Sequence, residues 1–462
     1  VYASFDNRKR DDFKPYLLMS TDKGNTWKQI TAGFPENGTI HTIEQDHVNK
    51  DLLFAGTEFG VFYSYNGGQK WVQLKSGLPT ISVRDMVIQT RENDLVIATF
   101  GRGFYILDDY SPLRELTPEL AQKNIHLFPT KEALMYIQTG KKYGQGATYY
   151  TSPNPEFGAT FTYYLKQAPK TNKKIRQEKE KELFEAGKPI PQPTWKALED
   201  EAKEIAPYLI FTVKDKDGYI IKKINKNPLE GINRVTWDLK YQGTFPTSLS
   251  ESKFDPFQED RAFWFVLPGK YAVSISLYEK GEIKELLTDK EFVVKALNNT
   301  TLPASNRELL VNFQKDVAEV TRIMNGAIEF NEELVEKVNY LKQAFVKTPG
   351  ATSELLIEAE RIEKELNDIL FAFEGSAAKA SDEEIPPRQV PLQNRLQYII
   401  WGQSSSTSEI TSTSKMAYDI ILEELPKLIE KLKVSDKDIR NLEDKMEKVK
   451  APWTPGRIQE LN

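Results

Sequence analysis

The sequence predicts a multidomain chain of β structure followed by α structure. Three observations carry that expectation. An octapeptide recurs at a 44-residue period near the N-terminus. Alternating apolar runs punctuated by turn residues continue to about residue 297. From Pro303 the apolar residues fall at three-and-four spacing instead, the period of an amphipathic helix.

The repeat comes first. Ser20-Thr-Asp22-Lys-Gly24-Asn-Thr-Trp27 returns as Ser64-Tyr-Asn66-Gly-Gly68-Gln-Lys-Trp71. A period of this length suits one four-stranded propeller blade. Each residue type has a mechanical reason. The Asp22 or Asn66 side chain can bond the backbone of a tight turn. Gly24 and Gly68 supply a positive φ. Trp27 and Trp71 then open the next strand and are expected to bury their rings. Residues 38–78 read as one complete blade, with Ile40–Gln45, Leu52–Thr57, Val61–Tyr65 and Trp71–Leu74 as its strands. The chain start supplies strands two to four of the blade before it. Ser82–Thr90, Leu95–Phe100 and Gly103–Leu107 begin a third, which carries Asp108-Asp-Tyr-Ser-Pro112 in place of the motif. Residues 1–118 therefore read as the terminal blades of an incomplete β-propeller. Val1 begins inside a strand-like run, and the expectation is an open wedge whose ring is completed by a missing N-terminal part or by another chain carrying it. Residues 1–118 alone are expected to be poorly soluble, and residues 145–462 to fold independently.

Residues 119–150 read as a connector. Residues 151–297 read as an Ig-like β-sandwich. Its strands start with Phe157–Leu165 and resume, after a charged helical insertion at 170–205, with the Tyr208–Ile224 hairpin. Asn233–Leu239 carries a Trp, Pro268–Leu277 opens with Pro-Gly-x-Tyr, and Glu291–Lys295 is the last strand. The insertion reads as a solvated helical face. Asp215-Lys-Asp-Gly218 has the look of a calcium-loop start, but no Glu closes it, so a plain hairpin turn is the better reading. Residues 303–375 form a long antiparallel helical hairpin, capped by Ser305, broken at Thr348-Pro-Gly350 and ended by Gly375. Its apolar stripe could dock a partner, although packing within the chain is favoured. Residues 376–390 are a linker, and 391–462 a helical segment with helices near 391–401, 411–432 and 435–449, the second kinked at Pro426.

The two octapeptides resemble the Asp-boxes of bacterial sialidases and sortilin ectodomains. Leu53-Phe-Ala-Gly-Thr-Glu-Phe-Gly60 and Asp94-Leu-Val-Ile-Ala-Thr-Phe-Gly-Arg-Gly-Phe-Tyr-Ile-Leu-Asp-Asp109 resemble a bacterial family labelled sortilin-like or BNR-repeat glycosyl hydrolases. The likeness extends to Pro153-Asn-Pro-Glu-Phe-Gly-Ala159 and Ala451-Pro-Trp-Thr-Pro-Gly-Arg457. It implies a secreted or envelope-associated propeller. An Asp-box is a folding motif, so the label does not by itself place an active site.

Composition narrows the function. A net charge of −5 leaves no basic excess for a nucleic-acid partner. No apolar run is long enough for a membrane span. The absence of cysteine fits the cytosol or a bacterial envelope and argues against a disulfide-rich ectodomain. The acceptor patterns at Asn37 and Asn298 read as chance matches. His41, His47 and His126 make no close pair, so no metal is expected, and no phosphate- or dinucleotide-binding glycine pattern appears, so no cofactor is expected. For glycoside hydrolysis the candidate carboxyls are Glu58, Asp85 and Glu92, with Arg84 and Arg102 as cations for an anionic or sugar ligand. Each also suits a turn or a salt bridge between blades. The favoured expectation is a scaffold that binds a polysaccharide or peptide. The alternatives are a glycoside hydrolase and a structural subunit of a surface assembly.

Overall fold

The computed structural model describes residues 1–75, 77–138, 150–247, 264–297, 300, 302–376, 389–404 and 406–457. The acceptor pattern at Asn298, and most of the expected linker at 376–390, lie outside the described residues.

The first 107 residues make three antiparallel sheets in sequence order. Strands β1 (Tyr2–Asn7), β2 (Asp12–Met19) and β3 (Lys28–Gln29) form the first. Strands β4 (Ile40–Gln45), β5 (Leu53–Thr57), β6 (Gly60–Ser64) and β7 (Val72–Leu74) form the second, in that spatial order. Strands β8 (Val83–Gln89), β9 (Asp94–Thr99) and β10 (Phe104–Leu107) form the third. β1 lies against β4, and β4 against β8.

Successive side chains of a strand point to opposite faces, and the middle sheet buries both. On one face Leu53, Ala55 and Phe62 join Leu17, Ile30 and Trp71 in a core shared with the first sheet. On the other, Leu52, Phe54 and Val61 join Val83, Met86 and Ile97 in a core shared with the third. This is why every residue of Leu53–Thr57 is buried and its first four are apolar. A Cβ on Gly56 would meet Val83 Cγ1 of the third sheet at 2.7 Å and Thr42 Cγ2, its cross-strand partner on β4, at 2.6 Å.

Both octapeptides fold alike, each between the last two strands of its sheet, β2 and β3 in the first and β6 and β7 in the second. The Ser20 hydroxyl accepts from Gly24 N at 2.7 Å and donates to Asp22 Oδ1 at 2.8 Å, and Asp22 Oδ1 accepts from Thr26 N at 2.9 Å. Ser64, Gly68, Asn66 and Lys70 repeat the pattern at 2.9, 2.9 and 3.0 Å. Gly24 and Gly68 have φ of 94° and 84°. The aromatic position differs. Trp71 is 2% exposed and donates its indole N–H to Ile30 O at 2.8 Å, with Phe34 4.9 Å from its ring. Trp27 is 43% exposed, against the expectation of a buried ring. The covering residues for Trp71 come from the preceding unit, and Trp27 has no such unit among the described residues.

Two further sheets share one hydrophobic core, in the region expected to be an Ig-like sandwich. One orders β11 (Ile125–Leu127), β13 (Ala159–Leu165) and β16 (Gly231–Trp237). The other orders β12 (Ala133–Met135), β18 (Glu282–Ala296), β17 (Gly269–Glu279), β14 (Tyr208–Asp215) and β15 (Ile220–Lys226). Residues 119–150 were expected to be a connector, but β11 and β12 within them pair with β13 and β18 of these sheets. The last strand is 15 residues long, because it pairs with β17 along a hairpin from Glu282. Trp237 and Tyr271, from the Trp strand and the Pro-Gly-x-Tyr corner, meet in the core at 5.3 Å, and the Tyr271 hydroxyl donates to Leu267 O at 2.6 Å. Asp215 Oδ1 accepts from Asp217 N and Tyr219 N at 3.0 and 2.9 Å, which closes the hairpin turn. Helices α1 (Asn172–Glu185) and α2 (Trp195–Lys203) form the insertion and contain no buried residue. Arg176 clamps them through Glu201 at 2.7 and 2.8 Å.

The α region is built from α3 (Arg307–Val346), α4 (Ser353–Glu374), α5 (Leu392–Ser404) and α6 (Ser412–Lys448). The stripe Val317, Met324, Leu334, Val338 and Leu341 of α3 is buried within the chain. Three details depart from expectation. Asn306, not Ser305, caps α3, accepting from Glu308 N and Leu309 N at 3.0 and 3.1 Å. The Ser305 hydroxyl donates to Glu409 instead. The two helices expected at 411–432 and 435–449 are a single helix of 37 residues that runs through Pro426. Its buried stripe Leu425, Leu428, Leu432, Ser435, Ile439 and Leu442 crosses the supposed break without interruption, and that burial outweighs the lost backbone bond. No helix among the described residues is long and apolar enough to cross a membrane.

Candidate functional site

Six charged or polar groups converge at one end of the three sheets. The end is defined by the β5–β6 turn, which carries Glu58, by the starts of β4 and β8, and by the turn after β1, which carries Arg8. The octapeptide turns lie at the opposite end. The first strands of the second and third sheets, β4 and β8, are irregular at the same place. The β4–β5 register slips between Ile40 and Thr42, and the β8–β9 register between Val83 and Asp85. The extra residues are His41 and Arg84. A bulge turns its side chain out of the alternation, and here it aims both toward Glu58.

Glu58 Oε2 accepts from His41 Nε2 at 2.8 Å and from Ser82 Oγ at 3.3 Å. Guanidinium nitrogens of Arg8 and Arg84 each stand 3.7 Å from the same oxygen. Arg84 Nη1 lies over the same ring, 3.3 Å from His41 Nε2 and 3.5 Å from Nδ1. Burial pushes the Glu58 carboxyl up, but the His41 hydrogen bond and the Arg84 charge prevail and hold it below the usual glutamate range. Arg8 is also paired with Asp6 at 2.7 Å. The Arg84 guanidinium lies 5.3 Å from the Phe100 ring, an exposed aromatic at the β9–β10 turn. Arg102 is exposed on that same turn.

The other candidates lie elsewhere. Glu92 sits on the β8–β9 loop, at the far end of the strand that begins near Glu58. It pairs with Lys131 and, at 3.0 Å, with Arg91, and Lys131 first among them holds its carboxyl low. A seven-residue strand spans roughly 20 Å, well beyond the separation of a glycosidase carboxyl pair. Asp85 is exposed on β8, where its Oδ1 accepts from Met86 N at 2.9 Å. Its electrostatic neighbour is Glu44 on β4, a half-buried residue that sequence reasoning passed over. Burial, and then the Asp85 charge, raise the Glu44 carboxyl.

Sequence reasoning also missed the buried clasp at the opposite end. The Asp46 side chain is fully buried. It accepts two bonds from Arg114, one from the Tyr110 hydroxyl at 2.6 Å, and those of Val48 N and Asn49 N at 3.1 and 2.6 Å. Burial alone would push its carboxyl up, yet Arg114, Tyr110 and Asn49 together hold it at about 2. Tyr110 stands where a third octapeptide was sought, and its ring meets Phe54 edge-on at 5.0 Å. His126 bonds Glu115 at 2.9 Å. Among the described residues no group of three or more His, Asp or Glu is arranged to hold a metal ion.

No family model matches this sequence, and no curated protein matches it. Among solved structures, the extracellular domain described as that of a one-component system, BT4673 of B. thetaiotaomicron, is 13% identical, with a TM-score of 0.18. The match covers 61% of this chain and 28% of that one. The extracellular domain of the hybrid two-component system BT3049 of the same organism is 10% identical, with a TM-score of 0.19, over 61% and 29%. The chain thus spans less than a third of the length of either. Neither likeness identifies this fold or its ligand.

Proposed function

We propose that the three N-terminal sheets are successive blades of an incomplete β-propeller in a secreted or envelope protein. Its rim at His41, Glu58 and Arg84 binds a carboxylate-bearing polymer, a polysaccharide or a peptide. The sandwich and helices space or anchor that rim. The observation that carries the reading is the pair of guanidinium groups at 3.7 Å from Glu58. At that distance neither closes a bidentate bond with Glu58, so the Arg84 fork keeps donors for a ligand carboxylate. Phe100 beside it offers an apolar face, and Arg102 a further cation. The shared middle-sheet cores, the two alike octapeptide turns and the exposed Trp27 support the blade assignment. The test is calorimetry with polygalacturonate, alginate and poly-glutamate. At least one should bind, more weakly as salt rises, and Arg84→Ala should weaken it at least tenfold. Binding unchanged in both Arg84→Ala and Arg102→Ala would remove this reading.

A second reading has its own observation. Glu44 and Asp85 are neighbouring carboxyls on adjacent innermost strands, and one is raised. A carboxyl raised in this way suits a general acid, with Asp85 as its neighbouring carboxyl. It makes the protein a glycoside hydrolase and predicts polymer turnover that Glu44→Gln abolishes. The reading as a surface-assembly subunit rests on the long helical hairpin of α3 and α4, whose apolar stripe packs within the chain.

A further inference from the structure

The α region holds a cavity of about 730 Å³ between α5, the loop that follows it and the start of α6. That is the size of a small-molecule site. Tyr398 and Trp401 stand three residues apart on α5, hence side by side on one helix face. Trp401 is 78% exposed and Tyr398 is more than half exposed, unusual for large aromatic rings at the mouth of a cavity. The lining surface is mostly apolar, with polar groups set into it: Asn394, Gln397 and Gln403 supply amides, and Ser408 and Thr411 supply hydroxyls.

Gln403 is the second, independent observation. It is 7% exposed, yet neither its amide nitrogen nor its amide oxygen has a hydrogen-bond partner among the described residues. A buried donor and acceptor left open destabilise a fold unless a ligand or water satisfies them. The charge pattern restricts the ligand. Among the described lining residues no side chain is cationic, and the one carboxylate, Glu409, already accepts from the Ser305 backbone N–H at 3.2 Å and from its hydroxyl. An anion would find no counter-charge among these residues, and a cation would compete with bonds already made.

We propose that this cavity binds a neutral saccharide. The two rings form a platform for the apolar face of a sugar, and the Gln403 amide, with its donor and acceptor, matches a pair of adjacent hydroxyls. The site lies in the helices, far along the chain from the rim at Glu58, and does not rest on the function proposed for that rim.

The test titrates the 462-residue chain with maltohexaose, cellohexaose, xylohexaose, mannohexaose and chitohexaose, followed by calorimetry and tryptophan fluorescence. At least one should bind at millimolar concentration or below. Trp401→Ala should weaken it at least tenfold and abolish most of the fluorescence change. Gln403→Leu should also weaken it at least tenfold while leaving the melting temperature unchanged or higher, which a merely structural glutamine would not do. The proposal is overturned if none of the five binds, if both variants bind as the parent does, or if a proline decapeptide binds at the platform and the sugars do not.

Discussion

Arg114 grips Asp46 with two parallel hydrogen bonds, Nε to Oδ2 at 2.9 Å and Nη2 to Oδ1 at 2.8 Å, across 68 residues of sequence. The acceptor is completely buried, and Arg114 also reaches Asn93 Oδ1 at 2.7 Å. One guanidinium thus fastens the β4–β5 loop, the β8–β9 loop and the chain leaving β10. Removing one partner strands the other in a dry site. Asp46→Ala should destabilise the chain by about 3–5 kcal/mol in urea unfolding. The pH dependence has a definite sign. The folded value, about 2, lies below the unfolded aspartate value, so this stabilisation is complete above about pH 5. It is lost as pH falls from about 4 toward 2, and amounts to about 2 kcal/mol. Asp46→Asn should flatten that segment of the stability curve. An unchanged acid limb would show that the pair contributes little.

Trp71 and Trp27 are the same position in two repeats with opposite burial. Trp71→Ala should cost about 3–5 kcal/mol, and Trp27→Ala less than about 1 kcal/mol, in parallel urea melts. A longer chain that carries a preceding blade should make the two equal. Equal losses in the present chain would contradict the exposure of Trp27.

Glu44 acts with the opposite sign to Asp46. Its carboxyl is raised by burial first and by Asp85 second. Its protonated form therefore favours the fold, and that contribution fades as pH climbs through its unfolded and then its folded value. Carbon-detected NMR titration should place Glu44 above an ordinary glutamate. Asp85→Asn should bring it partway down, and no movement at all would separate the two residues.

Pro426 lies inside a continuous helix and is sustained by the packing around it. Pro426→Ala restores a backbone donor and removes a ring clash, against some gain in unfolded-chain freedom. The net expectation is a stabilisation of about 1–3 kcal/mol, read by calorimetry. A loss would mean that the ring itself fills space the helix needs.

The repeated turn was legible because it is local. The Ser-x-Asp/Asn-x-Gly turn closes on its own atoms, so eight residues suffice to recognise it. Trp237 and Tyr271 were likewise marked by their neighbours in sequence, and they meet in the core. What stayed hidden depends on pairings that no window contains. Asp46 and Arg114 are far apart, and neither sits in a motif. The bulges that turn His41 and Arg84 toward Glu58 are register slips against another strand, which only the ladder reveals. The single helix across 433–435 was misjudged because Val434-Ser435-Asp436 has the composition of a cap. The continuation of the apolar stripe beyond it decides the matter, and Ser435 is buried on that stripe. Gln403 carried no signal at all, because an amide on a helix is ordinary until its surroundings are known.

The middle sheet owes both its faces to its neighbours, and this bears on how such a region changes length over time. Cutting part of a 44-residue unit would strip one face and leave the other without a counterpart. Losing or duplicating a whole unit would remake both junctions from surfaces that already fit. Indels inherited in this segment should therefore come as multiples of the repeat, or else be confined to loops such as the one between β4 and β5. Gene length here is quantised by packing.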